Sequence, residues 1–322
     1  MDELVRDAGS FALVVTPFAL LASAFLSPAD IPVDVTTLEG GIVLVGGVTT
    51  VVRRDRGFGD ANLPGFSRSD VADWAAVLVA SVATYLLSVQ VGFGPVVASA
   101  LVGLFVGVGK PEVAVQAYCG SFVGMASPAL FPSVNYLLLA GTVAGLAYVA
   151  TTEVFHGFGG KLGTLALFGC ATTATFTDAS YAAATLPQWS NAVVVVPVAI
   201  LAAIATVVLS VRLELGAVVG SALVGLVAGV AFPLAFPAMG STLATVAFCA
   251  SFVGMSTTDR LGHEGHVALA GTLCGIVFVA VAPSFTGAGG KLGTVAFVSS
   301  LAEFGAVELV DSMGGSVVAW SR

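Results

Sequence analysis

The sequence has very few charged residues. Asp, Glu, Lys and Arg together make up 9% of the 322 residues, whereas they make up about a quarter of a typical soluble protein. Hydrophobic residues account for 57%, and the mean hydropathy is +1.02. This composition excludes an ordinary soluble domain and predicts a polytopic protein of the lipid bilayer.

Residues that usually carry catalysis or bind metals are also scarce. The chain has three histidines, and His263-Glu264-Gly265-His266 lacks the HExxH spacing of zinc sites because its histidines are three apart. The four cysteines lie inside apolar runs without CxxC spacing, which favours small buried residues over a disulfide or a metal site; they are Cys119, Cys170, Cys249 and Cys274. The sequence predicts no enzyme activity, no catalytic residue, no metal and no cofactor.

Positive charge is the scarcer sign. Eleven basic residues face nineteen acidic ones, so the net charge is −8 and the isoelectric point is about 4.7. An acidic surface excludes nucleic acid as a partner. It is typical of a halophile, where excess charge keeps the surface hydrated, but an ordinary set of acidic loops gives the same balance.

Long apolar runs are what the sequence does have. Eight of them approach the ~20 residues that a spanning helix needs, at 9–27, 73–92, 133–152, 163–183, 190–211, 236–256, 265–283 and 292–310. Shorter runs lie at 41–52, 94–108, 112–126 and 215–232. Because the runs are continuous and not alternating, they predict an all-α bundle of about 12 transmembrane or partial segments.

One hexapeptide, Gly-Gly-Lys-Leu-Gly-Thr, occurs twice, at 159–164 and at 289–294, and uses two of the three lysines. We call it the GGKLGT motif. The flanking segment Cys-x-Ser-Phe-Val-Gly-Met recurs at the same offset, at 119–125 and 249–255. About 22 of 52 positions are identical between residues 118–169 and 248–299. The chain therefore contains an internal duplication.

The duplication divides the chain into an N-terminal two-helix region (1–72), unit 1 (73–184) and unit 2 (185–322), with five segments in each unit. A loop at 53–70 holds four arginines, so the positive-inside rule places it in the cytoplasm. If all five segments cross the membrane, unit 2 is inverted relative to unit 1 and both chain termini are cytoplasmic. If segments 112–126 and 240–256 re-enter instead, the units are parallel.

The GGKLGT motif combines a lysine with the start of a helix, whose first N–H groups are unsatisfied and whose dipole end is positive. This suits an anion or a carbonyl oxygen at Lys161 and Thr164, and again at Lys291 and Thr294. Leucine follows each lysine, so the motif is not a Walker A loop. The alternative is that each lysine extends to the membrane interface from a helix end.

Other polar residues complete the set of substrate or pore candidates. Ser121 and Ser251 either offer hydroxyls to a solute or bond to their own helices. Asp178 and Glu308 occupy matching positions; in inverted units, with the two GGKLGT motifs on opposite membrane faces, they could pair with the lysine of the other unit. Glu303, matched by Thr173, is a proton or cation site, a pore-facing residue or a buried hydrogen-bonding group.

The segment Tyr118-Cys119-Gly120-Ser121-Phe122-Val123-Gly124, preceded by the small-residue helix 96–108, resembles the urea transporter family. Members of that family carry Tyr-Asn-Gly-x-Leu-Val-Gly and a downstream Leu-Pro-x-x-Thr-x-Pro-Phe motif in each of two inverted halves. Here Cys119 replaces the asparagine, and of the downstream motif only the threonine is matched, by Thr164 and Thr294. The resemblance covers about residues 90–169 and 215–299, and it implies a trimeric channel with a pore in each protomer.

These patterns together predict a multi-pass protein of the cell membrane with two inverted five-helix repeats after two N-terminal helices. Its predicted function is a channel or transporter for a small polar solute, urea-like or a small amide, with the pore at the repeat interface. One alternative is a small-anion transporter that uses Lys161, Lys291 and the helix N-termini. The other is a structural membrane protein without transport activity. A homo-oligomer is expected, a trimer if the family resemblance holds.

Overall fold

The computed structural model describes residues 2–25, 67–182 and 188–319, with side chains for 9–24, 67–182 and 188–310. Within these residues the protein is all-helical, with eleven α-helices and no strand. The predicted apolar segment 41–52 and the loop arginines before Ser67 lie outside the described residues.

Among the described residues, one α-helix lies before the repeated units, and each unit contains five. N-terminal to the units lies α1 (Asp2–Phe25). Unit 1 contains α2 (Arg68–Tyr85), α3 (Pro95–Gly109), α4 (Ala114–Val123), α5 (Val134–Ala150) and α6 (Lys161–Phe176). Unit 2 contains α7 (Ala192–Val207), α8 (Ala217–Ala235), α9 (Gly240–Ser251), α10 (Glu264–Ala280) and α11 (Lys291–Ala319).

Four helical segments in the described part of the chain are long and apolar enough to cross a membrane: Arg68–Gln90, Trp189–Arg212, Ala217–Ala235 and Lys291–Val310. The first begins at a capping box, in which Ser67 accepts from the Asp70 N–H and the Asp70 carboxylate accepts from the Ser67 N–H. These helices are consistent with the membrane protein that the composition predicts.

The two units have the same order of elements and the same local irregularities. Helices α2 and α7 both end in a π-helical turn, Leu86–Gln90 and Val208–Arg212. The loops after α5 and α10 each contain a phenylalanine in the left-handed region, Phe155 at φ 51° and Phe285 at φ 48°. Left-handed phenylalanine is rare, so its recurrence shows that both copies of the repeated sequence fold alike at this loop.

Helices α3 and α8 pack against each other through glycines. A Cβ at Gly107 would lie 2.7 Å from Val219, and one at Gly229 would lie 2.7 Å from Val97. Contact therefore joins the end of α3 to the start of α8, and the start of α3 to the end of α8. The two matching helices run antiparallel.

The Cys-x-Ser-Phe-Val-Gly-Met segments form the shortest of the helices within the units. Helix α4 has 10 residues, about 15 Å at ~1.5 Å per residue, and α9 has 12 residues, about 18 Å. The hydrocarbon core of a bilayer is about 30 Å thick. Most residues of α4 and α9 are buried, so both helices lie inside the bundle as short interior elements.

Candidate functional site

The two GGKLGT motifs contact each other where α6 and α11 begin. A Cβ at Gly163 would lie 2.4 Å from the Cα of Gly293, and a Cβ at Gly293 would lie 2.5 Å from the Cα of Gly163. Two helix starts this close leave room only for glycine at the contact. The expectation that the motifs lie apart, on opposite membrane faces, is wrong, because both belong to one interface between the units.

The glycine pair of each motif has a backbone role. A Cβ at Gly159 would lie 2.0 Å from the carbonyl oxygen of Phe252, and one at Gly289 would lie 2.4 Å from that of Phe122. Gly160 and Gly290 follow at φ 86° and 85°, a conformation that glycine adopts without steric cost. Carbonyls at the end of α9 thus face the start of α6, and carbonyls at the end of α4 face the start of α11.

Both motif lysines bond to main-chain carbonyls. Lys161 is 8% exposed, and its Nζ donates to the carbonyl oxygens of Thr151 and, at 3.1 Å, Thr152. The Nζ of Lys291 donates to the carbonyl of Ala282 at 2.8 Å. These carbonyls follow the C-termini of α5 and α10, where the helix dipole is negative and favours a cation.

The motif threonines are buried and bond within their own helices. The hydroxyl of Thr164 donates to the carbonyl of Gly160 at 3.4 Å, and that of Thr294 donates to Gly290 at 3.3 Å. The two carboxylates that were matched with the lysines, Asp178 and Glu308, are exposed. The structure therefore brings the lysines and threonines of both motifs together and leaves these two acids on the surface.

Ser121 and Ser251 lie in matching hydroxyl pairs. Ser121 donates to the carbonyl of Tyr118 at 2.7 Å and is 2.8 Å from the hydroxyl of Ser99 in α3. Ser251 has the same arrangement with Phe248 and with Ser221 in α8. Each serine is bonded to its own helix and ties it to its neighbour.

Four buried rings pack at the centre of the bundle. This central aromatic cluster contains Tyr118 and Phe122 from α4, Phe248 from α9, and Phe252 directly after α9. Phe122 and Phe252 hold matching places in the two units, and their ring centroids are 4.6 Å apart. The Tyr118 hydroxyl crosses to unit 2 and lies 2.9 Å from the hydroxyl of Ser221. The cluster therefore joins the two units.

A cavity of about 360 Å³ leads to this cluster. Its exposed lining includes Glu153, His156 and Thr257, and its buried lining includes Phe122 and Phe252. Lys161 and the rest of the first motif up to Leu162 form part of the wall. The space thus runs from a polar, exposed end to the aromatic pair where the two units meet.

Glu303 lies apart from the motif residues. It is 4% exposed, and its Oε1 is hydrogen-bonded to Nδ1 of His266. His266 belongs to the segment His263-Glu264-Gly265-His266, whose histidines lack the spacing of a zinc site. The structure gives this segment a different role, as the neighbour of a buried acid.

Sequence reasoning missed several residues of the site. The repeated segment already contained Phe122 and Phe252, but phenylalanine in an apolar run has no pattern that separates a pore wall from a packed core. Cys119 and Cys249 hold the motif of their own unit, each donating from Sγ to a leucine carbonyl, at 3.4 Å to Leu162 and 3.1 Å to Leu292. All four cysteines are buried and free, which confirms their prediction as buried residues.

Comparison with known proteins returned no match: no family model, no curated protein and no solved structure is similar to this chain. The function therefore has to be inferred from the helices, the motif interface and the cavity.

Proposed function

We propose that the chain is a membrane channel or transporter for a small polar solute, and that the solute passes between unit 1 and unit 2. The observation that carries the proposal is the cavity that joins exposed polar residues to the Phe122–Phe252 pair. A cavity that leads to matching residues at the interface of two repeated units is the arrangement expected of a transport site.

An inverted relation between the units supports this proposal. Matching helices related by a twofold axis in the membrane plane run antiparallel, as α3 and α8 do. An axis along the membrane normal would leave them parallel. The antiparallel contact therefore favours inverted repeats even though α4 and α9 are too short to count as full crossings.

The lining favours a neutral solute. The positive charge of Lys161 is already bonded to two carbonyls, so it adds little attraction for an anion within the cavity. The aromatic end offers flat apolar faces and the exposed end offers hydrogen-bonding groups, which together suit a small planar amide such as urea or formamide. This agrees with what the resemblance to urea transporters implies.

The anion alternative receives less support from the helix N-termini. Anion binding at a helix start requires accessible N–H groups. Here the starts of α6 and α11 pack on each other and against carbonyls of Phe252 and Phe122, and the Gly159 N–H donates to the hydroxyl of Ser256 at 2.9 Å. Backbone fills the space where the two helix starts meet, and the Gly159 N–H beside the cavity is already bonded to a side chain.

Phe122 and Phe252 are then the constriction of the path. Stopped-flow measurements on proteoliposomes should detect faster entry of urea or formamide than in protein-free liposomes. Replacing both rings, Phe122→Ala with Phe252→Ala, should raise the flux by about tenfold, equivalent to lowering the barrier by about 1.4 kcal/mol, and should admit larger amides.

The matched control is Phe176→Ala, which removes a ring that is 82% exposed at the end of α6. It should leave the flux unchanged. If the double substitution changes neither the rate nor the size selectivity of the wild-type flux, the solute path lies elsewhere. If the wild type conducts chloride and not amides, the anion alternative is favoured.

A further inference from the structure

Glu303 ends a chain of three titratable groups that starts at the surface. Its Oε1 is bonded to Nδ1 of His266, and its Oε2 is buried without a hydrogen-bond partner among the described residues. An unsatisfied buried carboxylate oxygen is costly. That cost falls when the oxygen can hold a proton, because the acid is then neutral.

Two histidines connect this carboxyl to solvent. The side chain of His266 is 22% exposed, and its ring centroid is 3.9 Å from that of the exposed His263. Nδ1 of His263 accepts from the Gly265 N–H at 3.0 Å, so neutral His263 carries its proton on Nε2. The three groups thus lie in order from water to a buried acid, with a ring contact between the histidines and a hydrogen bond from His266 to Glu303.

The series belongs to unit 2 alone. At the matching positions of unit 1, 130 residues earlier, stand Ser133, Tyr136 and Thr173. Thr173 is buried like Glu303, so a neutral residue occupies the same place in the other unit. Packing at this position does not require a carboxylate.

The series is linked to the cavity wall through the neighbours of Glu303. Phe304, next to Glu303, packs edge-on against Phe158, which lines the cavity, with ring centroids 5.1 Å apart. The guanidinium of Arg260 lies 4.7 Å from the Phe158 ring and 5.8 Å from the Phe304 ring. Its Nε donates to the carbonyl of His156 at the exposed end of the cavity. A change of charge at Glu303 therefore occurs one residue from a ring that contacts the cavity wall.

The elements packed against α11 bring few other ionisable groups. Helix α10 and the turn before it supply Asp259, Arg260, His263, Glu264, His266 and Cys274, and Glu264 pairs with Arg212. Helix α6 supplies Lys161 and Cys170, α9 supplies Cys249, and the described side chains of α1 supply no charged group. On α11 itself the nearest charged residue is Glu308, which is exposed.

We propose that Glu303 is a proton-binding site that exchanges protons with water through His266 and His263, and that its occupancy controls passage through the cavity. The second clause rests on the proposed function. In the loading step, Nε2 of His266 takes a proton from solvent or from His263, and the Nδ1 proton moves to Oε1 of Glu303. The donor's bond to the proton breaks as the Nε2–H bond forms, the Nδ1–H bond breaks as the O–H bond of Glu303 forms, and the pair of His266 and Glu303 gains one positive charge.

Infrared difference spectra of the purified full chain test the site itself. Lowering the pH from about 8 to about 5 should produce the C=O band of a protonated carboxylic acid, because exposed carboxylates protonate near pH 4 and contribute little in this range. The band should be lost in Glu303→Gln and kept in Glu112→Gln, whose carboxylate is exposed. In His266→Gln it should appear more slowly after a pH jump.

No band in the wild type, or an unchanged band in Glu303→Gln, would overturn the proton site. The control of passage is tested separately in proteoliposomes, where urea flux should change severalfold between about pH 5 and about pH 8 in the wild type and not in Glu303→Gln. A wild-type flux equal at both pH values overturns that control. Absence of flux at either pH contradicts the proposed function and the control together, while the infrared result still decides the site.

Discussion

Lys161 and Lys291 stand at the first position of a helix, where the dipole disfavours a cation. Both ammonium groups reach back to carbonyls that follow the preceding helix, at Thr151 and Thr152 in unit 1 and at Ala282 in unit 2. A positive charge is favourable at the C-terminus of that preceding helix, and the carbonyls there gain a hydrogen-bond donor. Each lysine is thus stabilised by one helix end, and the two helix ends hold matching places in the units.

The lysine contacts predict a pattern of chemical labelling. A membrane-permeant amine reagent should modify Lys110, whose side chain is 74% exposed, while Lys161 and Lys291 react at least about tenfold more slowly, equivalent to about 1.4 kcal/mol of protection. Mass spectrometry of the folded protein in detergent gives the three rates. All three should react alike after denaturation, and comparable rates in the folded protein would contradict the bonded placement of Lys161 and Lys291.

At this scale the sequence identified the right segments but not their contacts. The repeat of GGKLGT marked residues with a special role, and the structure places the three glycines of both copies at one interface between the units. The sequence could not distinguish a lysine that binds an anion from one that donates to main-chain carbonyls, because every residue has a main-chain carbonyl. The pairing of His266 with Glu303 joins residues 37 positions apart and depends on how α10 packs against α11.

Among the elements, α6 and α11 are defined by the glycines at their starts. Gly159 and Gly289 lie against carbonyl oxygens of the opposite unit, and Gly163 lies against Gly293. Close backbone approach of this kind is how small residues hold membrane helices together. The motif is therefore best explained as a packing surface between units that also forms part of the cavity wall.

This packing predicts which glycine substitutions are harmful. Gly159→Ala or Gly289→Ala places a methyl group 2.0 or 2.4 Å from a carbonyl oxygen and should destabilise the protein by about 1 to 3 kcal/mol or more. The control is Gly109→Ala at the end of α3, where a Cβ meets nothing within 4 Å. Thermal unfolding in detergent compares them, and equal midpoints for Gly159→Ala and Gly109→Ala would refute the contact.

The long helices could be predicted from the length of the apolar runs. The residues at which those helices begin and end could not. The apolar run at 73–92 starts five residues after α2 begins at Arg68, because the polar residues of the first turn extend the helix from its Ser67 cap. The short α4 and α9 carry apolar sequence comparable to that of a spanning helix. The two helices end at Val123 and Ser251, where the chain turns. Apolar composition does not predict these turns.

For the whole molecule, duplication is the organising feature. The units share element order, π-helical turns and left-handed phenylalanines, and α3 packs antiparallel to α8. The departures from this likeness are also informative, since Glu303, His263 and His266 occur in unit 2 alone. Under the proposed function, an ionisable site in unit 2 alone would let a proton control the passage of a neutral solute.

The central claim is that a small neutral solute crosses through the cavity between the units. Its most direct test is urea flux into proteoliposomes with Ala217→Trp, which fills the cavity from the start of α8, against Leu234→Trp, which adds the same ring at a position on α8 that is 79% exposed. We predict flux in the wild type and in Leu234→Trp, and its loss in Ala217→Trp. Equal flux in both variants, or wild-type flux no faster than in protein-free liposomes, would contradict the account.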